Sequence, residues 1–384
     1  MHMKKTKVAY VTGTRADFGL MTSILKAISE SQKLELQIYA TGVHLMPEFG
    51  LTIEQVRKEF PGTKEIPATF ESDTSQSMAK FTGDFLGELV RVFSQDPPDF
   101  VLTLGDRPEM LCTAVACLYL GIPVGHVHGG ERTSTVDELA RHAITKLAHV
   151  HFPATEESAA RIRKMGEDAW RIHVVGAPAL DTILNEKLPT REALFAELNL
   201  DPTKQVILIT QHPVSGEVDE AGVQMEETIE AVKSFNLPTV ITYPHADAGG
   251  RKMIEVIDRE KTNPMFRVIS SMGYTQFLAL VREAAVWIGN SSGALIESSS
   301  FKTPVVNIGT RQIGRQRGEN VLDVGYAKEG IIAAIEKSLH DAVYRDKLQK
   351  VKNPWGDGKT GPRVARILED VVFDSKLLRK QISY

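Results

Sequence analysis

KVAYVTGTRADFG, residues 7–19, decides the fold of this chain. Lys7 to Thr12 is a short β-branched and aliphatic run that stops at Gly13. Phe18 to Ser29 then carries apolar residues at helical spacing, with Asp17 placed as the cap. A strand that ends at glycine and hands over to a helix is the opening of a βαβ unit. The same kind of ending recurs at LGDR (104–107), HVHGGERT (126–133), QHP (211–213), YPHADAGG (243–250), GNSSGALIE (289–297) and GTRQIGR (309–315). Strands alternating with helices predict parallel sheets, in which ligands bind at the carboxyl ends of the strands. The polar residues collected at those ends therefore describe a site.

Working outward, Leu34 to Ala40, Asp99 to Leu104, Ile122 to Val127 and Arg171 to Val175 read as further strands of a first half. Helices are expected over Glu109 to Tyr119 and Glu138 to His149. From Pro178 to Lys204 the sequence is helical and polar, as a connection between domains would be. Strands then resume at Val206 to Thr210, Thr239 to Tyr243, Arg267 to Ser270, Val286 to Gly289 and Pro304 to Ile308. The expected organisation is α/β, with two doubly wound parallel-sheet domains at 1–180 and 181–360. A C-terminal segment, 361–384, begins with an amphipathic helix over Gly361 to Lys376 placed to cross back to the first domain.

Composition narrows the class. The chain has 384 residues, 42% hydrophobic and 24% charged, which suits two globular cores, and its net charge of −4 gives no reason to expect nucleic acid or an anionic membrane as partner. Cys112 and Cys117 are the only cysteines and sit in an apolar helical stretch, which fits a reducing compartment. The first residues pass straight into a strand, and no apolar run reaches the ~20 residues needed to span a bilayer, so a cytoplasmic protein is expected.

GNSSGALIE opens a helix after an apolar strand, so the amides near Ser291, Ser292 and Gly293 are expected to face a phosphate at the helix N-terminus. Glu297, nearly two turns further on, suits the two hydroxyls of a ribose. Arg15 and Arg311 each follow a strand-ending glycine, and a guanidinium fork there suits phosphate oxygens. Singly each is a surface charge; jointly, facing a Ser-Ser-Gly turn, they favour a diphosphate. Asp106, His128, Glu131 and Asp137 gather after strands of the first half, and His212 and His245 after strands of the second, a convergence suited to acid and base work. Asp137 alone reads as a helix cap. His126 and His128 share one strand face, yet no further ligands follow at metal-binding spacing, so no metal is expected. Neither a Walker loop nor GxGxxG follows the first strand, so no nucleotide or redox cofactor is expected either.

Taken together, GTRADFG, LGDR, HVHGGE followed by DE and RHAITKLAH, QHPV, DAGG, GNSSGALIE and NIGTRQIGR closely resemble the hydrolysing UDP-N-acetylglucosamine 2-epimerases, in family order and over nearly the whole chain. These enzymes open sialic and legionaminic acid biosynthesis and include the epimerase half of the bifunctional animal enzyme. The resemblance implies the GT-B fold, two Rossmann-like halves with a cleft between them. It also implies a UDP-sugar substrate, no cofactor, and a homodimer or larger homo-oligomer. By matching motif it implies phosphate contacts from Arg15 and Arg311, with Arg107 and His245 also toward the substrate. Ser291, Ser292 and Gly293 would hold the diphosphate and Glu297 the ribose, while Asp106, Glu131, Asp137, His212 and His128 would be the catalytic group. Some members, the animal enzyme among them, carry Glu where this chain has His128, and the animal enzyme carries Asn where this chain has His245. The base that takes the C2 proton is thereby left open among Glu131, Asp137 and His128.

The implied reaction converts UDP-N-acetylglucosamine to UDP and free N-acetylmannosamine, by loss of UDP to a 2-acetamidoglucal followed by hydration. The same chemistry on UDP-N,N′-diacetylbacillosamine is the alternative, since no motif reads the groups at C4 and C6. A GT-B glycosyltransferase would need an acceptor groove and fewer acids. A non-hydrolysing epimerase resembles HVEAGLRT rather than HVHGGERT, and a non-catalytic binder has no use for the acid cluster.

Overall fold

The computed structural model describes residues 4–72, 74–132, 136–214, 216–244 and 247–383. The chain divides into two compact units, one of Met1–Glu131, Val136–Leu184 and Trp355–Tyr384, the other of Arg132–Thr135 and Asn185–Pro354.

The elements of the first unit run β1 (Thr6–Thr12), α1 (Arg15–Glu30), β2 (Leu34–Ala40), α2 (Ile53–Glu59), β3 (Lys64–Glu65), α3 (Ser75–Gln95), β4 (Phe100–Leu104) and α4 (Pro108–Leu120). They continue with β5 (Val124–Val127), α5 (Val136–Leu147), β6 (Val150–Phe152), α6 (Glu156–Lys164) and α7 (Ala179–Asn185). Six parallel strands lie in the order β3-β2-β1-β4-β5-β6, so the sequence order reverses between β1 and β4. Alternation across the sheet explains the near-continuous apolar runs. Val8 and Tyr10 of β1 enter one core with Phe18, Met21 and Ile24 of α1, while Ala9 and Val11 enter the opposite core with Phe81, Phe85 and Leu89 of α3.

The second unit holds α8 (Arg191–Glu197), β7 (Val206–Thr210), α9 (Ala221–Lys233), β8 (Thr239–Thr242), α10 (Gly250–Arg259), β9 (Phe266–Ile269), α11 (Tyr274–Glu283) and β10 (Ala284–Gly289). Then come α12 (Ser292–Ile296), α13 (Ser298–Phe301), β11 (Val305–Ile308), β12 (Val321–Val324), α14 (Lys328–His340) and α15 (Ala342–Lys350). Its six strands, again parallel, are ordered β12-β11-β10-β7-β8-β9, with the reversal between β7 and β10. Ile207 and Ile209 face one core, Val206 and Leu208 the other.

The chain then returns to the first unit. α16 (Thr360–Asp370) lays Val364, Ala365 and Leu368 into the core that α1 borders, and α17 (Ser375–Leu378) follows. Asp181 fixes the start of α16 by accepting the amides of Thr360 (2.8 Å) and Gly361 (2.6 Å). Gly361 lies so close to the Ser23 carbonyl that a Cβ would not fit.

Four expectations are corrected. The cap of α1 is Thr14, and Asp17 is its partner three residues on: Asp17 Oδ1 accepts from the Thr14 amide at 2.6 Å, and Thr14 Oγ1 accepts from the Asp17 amide at 3.3 Å. Asp137 lies inside the first turn of α5 rather than capping it. Arg171 to Val175 is not a regular strand: Arg171 closes a 3₁₀ turn, and the residues after it run beside β6 with one isolated bridge, Ile172 to His151, and amide bonds from His173 to the His151 carbonyl (2.9 Å) and from Val175 to the Pro153 carbonyl (3.1 Å), β6 being only three residues long. The helix expected over 361–376 ends at Asp370, where Val371 is extended and Asp374 caps a new turn. Helix α3, strands β3, β6 and β12 and helix α6 are additions to the sequence reading. No helix among the described residues is long and apolar enough to cross a membrane.

Candidate functional site

In the first unit the carboxyl ends of β1, β4 and β5 supply the polar groups. Asp17 is committed to structure, since Oδ2 accepts from Thr12 Oγ1 (2.7 Å) and Tyr10 (2.9 Å), which sets the β1 turn and leaves Arg15 as the first residue of α1. Arg15 is half-buried, burial lowers its pKa, and its Nε has no protein partner. Arg107, after β4, donates from Nε to Glu109 Oε2 at 3.2 Å. The fully buried Glu109 carboxyl fills the space a Cβ on Gly13 would need, so any larger residue in the β1 turn would have to push that carboxyl aside.

Arg141, on the second turn of α5 and 3% exposed, organises the rest. Its Nη2 donates to Asp106, its Nη1 donates to the His128 carbonyl at 2.7 Å and lies 3.9 Å from Glu131 Oε2. Burial opposes its charge, but Asp106, Glu131 and Asp137 together hold its pKa above the ordinary value. Asp137 lies one turn before Arg141 on the same helix, the i, i+4 spacing that puts both on one face. His128 itself sits in the left-handed region (φ 60°), a rare conformation for a side chain of its size. Its Nδ1 is hydrogen-bonded to Glu131 Oε1, and its Nε2 is buried with no partner. The Trp355 ring lies tilted over the imidazole, centroids 6.3 Å apart. His126, by contrast, is occupied on both nitrogens, by the Gly105 carbonyl (2.7 Å) and Thr145 Oγ1 (3.1 Å), and burial pushes its pKa down to about 3. It is a neutral pin between β4 and α5.

In the second unit the centre is Asn290, immediately after β10. Its Oδ1 accepts the His212 amide at 2.7 Å and its Nδ2 donates to the His212 carbonyl at 2.8 Å, locking the end of β7 to the end of β10 where the strand order reverses. The Asn290 carbonyl accepts from Arg311 Nη1 (3.2 Å) and Gln312 Nε2 (3.0 Å), which fixes the loop after β11. Gly289 (φ 129°) touches the Thr210 backbone, and only glycine permits that approach. Ser291 precedes α12 with a side chain that makes no capping bond, and Ser291, Ser292 and Gly293 are all half-buried. Glu297 is 3% exposed; Tyr274 donates to its Oε1 at 3.1 Å, and its Oε2 has no partner. Burial outweighs the tyrosine bond and raises its pKa to about 8.

Of the expected site residues, Asp106, His128, Glu131 and Asp137 thus gather about one guanidinium. His212 and Arg311 gather about Asn290, with Ser291 next to it in the chain and Glu297 against Gly293. Arg15 and Arg107 stand at the neighbouring β1 and β4 ends, and His245 lies outside the described residues. Arg141, Asn290, Gln312 and Tyr274 were not singled out from sequence. The signal for Arg141 was its spacing from Asp137, and for Asn290 its place directly after a strand-ending glycine. No group of three or more His, Cys, Asp or Glu among the described residues is arranged to hold a metal ion.

Comparison with known proteins agrees with this fold. A hydrolysing UDP-N,N′-diacetylbacillosamine 2-epimerase from Legionella pneumophila is 40% identical over 379 residues, 98% of this chain and 99% of that protein. A hydrolysing GDP/UDP-N,N′-diacetylbacillosamine 2-epimerase from Campylobacter jejuni is 35% identical over 325 residues, covering 84% and 85%. Among solved structures, the Neisseria meningitidis UDP-GlcNAc 2-epimerase bound to UDP-GlcNAc superposes with a TM-score of 0.79 at 21% identity, covering 95% of this chain and 100% of that one. Residues 26–369 match the family described as UDP-N-acetylglucosamine 2-epimerase, and the chain belongs to that family of UDP-sugar 2-epimerases with the GT-B fold.

Proposed function

We propose that this enzyme is a hydrolysing 2-epimerase whose substrate is UDP-N,N′-diacetylbacillosamine, converting it to UDP and the free 2-epimer of the diacetamido sugar. The observation that carries the substrate is the gradient of similarity. Identity is 40% and 35% to the two diacetylbacillosamine enzymes against 29% over 333 residues to the Neisseria meningitidis UDP-N-acetylglucosamine 2-epimerase. The reading from motifs alone put UDP-N-acetylglucosamine, with N-acetylmannosamine as product, first.

The C2 hydrogen of such a sugar has no adjacent carbonyl to acidify it, so inversion draws on departure of UDP. Oxocarbenium character at C1 makes the C2 proton removable, a 2-acetamidoglucal forms, and water then adds at C1 while an acid protonates C2 from the opposite face. Asp106, His128, Glu131, Asp137 and His212 are the groups we assign to these proton transfers. Arg15, Arg107 and Arg311 would neutralise the leaving diphosphate, a contribution of about 3 kcal/mol for each well-placed donor. Ser291, Ser292 and Gly293 would hold the diphosphate and Glu297 the ribose; His245 is assigned to the sugar. The paired arrangement of a charged cluster and a polar, amide-locked loop supports this division. No cofactor enters the scheme, and a homo-oligomer in the cytoplasm is the expected state.

The test is side-by-side turnover of the two UDP-sugars with no acceptor present. The proposal expects a kcat/KM at least tenfold higher for the diacetamido sugar, release of free reducing sugar with UDP, and one deuterium at C2 when the reaction runs in deuterated water. Release of an intact UDP-linked epimer instead would reassign the enzyme to the non-hydrolysing type.

A further inference from the structure

We infer that Nε2 of His128 takes the C2 proton, and that Glu131 is the positioning residue that aims the imidazole; the inference rests on the elimination proposed above. Four groups compete for this role, and their surroundings separate them. A base needs an unshared lone pair facing the reacting atom. Asp106 spends Oδ2 on Arg141. Glu131, 1% exposed, spends Oε1 on His128 and has Oε2 near Arg141. Asp137 sits in the first turn of α5 and faces Arg141 electrostatically. His128 is the one whose reactive atom is both buried and without a partner.

The dyad has a fixed polarity. With the Nδ1 proton donated to the Glu131 carboxylate, the tautomer carries its lone pair on Nε2. As the C2–H bond breaks, the proton goes to Nε2. The C–H electron pair becomes the C1–C2 π bond, and the pair of the breaking C1–O bond leaves on the β-phosphate oxygen of UDP. The imidazolium so formed shares its Nδ1 proton with Glu131, which stabilises the new positive charge, and the proton on Nε2 is released to solvent before the next turnover. The other groups facing the ring are the Arg141 guanidinium, which carries Asp106 and Asp137 with it, and the neutral His126 on β5.

The backbone agrees. A non-glycine residue at φ 60° is uncommon and persists only where its surroundings impose it. Here Arg141 imposes it by holding the His128 carbonyl, and the buried Trp355 ring lies beside the imidazole.

His128→Gly tests the assignment, because glycine accepts the left-handed backbone and leaves room for free imidazole. It should lower kcat by ~10²–10⁴-fold with UDP affinity by calorimetry within about threefold, and added imidazole should restore part of the rate and of the C2 deuterium incorporation. His128→Glu should stay active, with the acid limb of kcat/KM moved to lower pH because a carboxyl is a stronger acid than an imidazolium. Glu131→Gln should lower kcat about tenfold or more and shift the same limb with KM little changed. His128→Gly within tenfold of wild type, an acid limb unmoved in His128→Glu, or no imidazole rescue while Asp137→Asn alone abolishes C2 exchange would each overturn the assignment. Wild-type enzyme that turns over neither UDP-sugar would remove the proposed function along with it.

Discussion

The two strand-order reversals in this molecule are built from opposite chemistries. At the first, between β1 and β4, charges dominate: Asp106, Glu131 and Asp137 act on one buried guanidinium, Arg141, beside an imidazole with one ring nitrogen unused. At the second, between β7 and β10, a neutral amide does the organising, with Asn290 gripping both the amide and the carbonyl of His212. Fixed dipoles suit the holding of a nucleotide, whose charge does not change on binding. Groups that must gain and lose protons need neighbours whose charges respond. The difference between the ends is what the proposed division between proton transfer and UDP binding calls for.

The largest expected effect comes from removing the charge at the centre of the first cluster. Arg141→Met leaves Asp106 and Glu131 without their counter-charge, and breaking a buried pair in this way costs about 3–5 kcal/mol of stability. Turnover should fall by at least ~10³-fold, since the His128 carbonyl also loses its anchor. Arg141→Lys should recover little, because an ammonium cannot reach Asp106 and the carbonyl together as a planar fork does. Denaturant unfolding and steady-state rates check both; a variant with near-normal turnover would erase the contrast between the two ends.

An intermediate effect is expected at the second reversal. Asn290→Ala removes the side-chain bonds to the buried His212 amide and carbonyl, a loss of about 1–3 kcal/mol for each group. The loss should appear as roughly ten- to hundredfold weaker UDP binding by calorimetry, with a smaller change in kcat on saturating substrate. Should kcat fall as steeply as for Arg141→Met while UDP affinity stays constant, the division of labour would have to be redrawn.

How far the sequence foretold these ends depends on the range of the interactions. Strands with long apolar runs and glycine stops were legible, as were the polar residues just past them, because both signals are local. Helix α3 was not recognised, although Phe81, Phe85, Leu89 and Phe93 recur every fourth residue, since Gly83 and Gly87 interrupt its helix propensity. The β-branched run near Val174 looked like a strand, and it does lie against β6, but that strand is only three residues long and pairs with it through one isolated bridge. Within the site, the residues that act on others were the ones missed. Arg141 meets Asp106 across 35 positions, Asn290 meets His212 across 78, and Tyr274 meets Glu297 across 23, so a local pattern could mark Arg141 and Asn290 as candidates but could not name the partners they hold.

The smallest effect, and the sharpest separation of the two units, is expected from pH. In the first unit burial pushes His126 down to about 3 and His149 to about 4. Burial alone would raise Glu167, but bonds from His151, Lys146 and Lys380 bring it down to about 2. Each of these groups binds fewer protons folded than unfolded. Their stability contributions are therefore complete above the unfolded pKa values and are lost as pH falls, through the window from about 6.5 to 3 for the histidines and from about 4.5 to 2 for the carboxyl. Glu297 in the second unit has the opposite sign. Raised by burial to about 8, it binds more protons folded than unfolded, so its contribution is complete below about 4.5 and is lost as pH rises toward 8. Limited proteolysis with peptide mapping should accordingly show the first unit opening first on acidification below about pH 5, and the second on alkalinisation toward about pH 8.5. Glu297→Gln should abolish the alkaline trend and leave the acid one intact. UDP binding in the wild type should tighten as pH rises toward 8, because the carboxylate accepts two hydroxyl donors where the protonated acid must give up one acceptor site, and Tyr274→Phe should move that rise to higher pH by removing the bond that opposes burial. Equal loss of both units at both extremes would mean that the opposed titrations do not govern their stabilities.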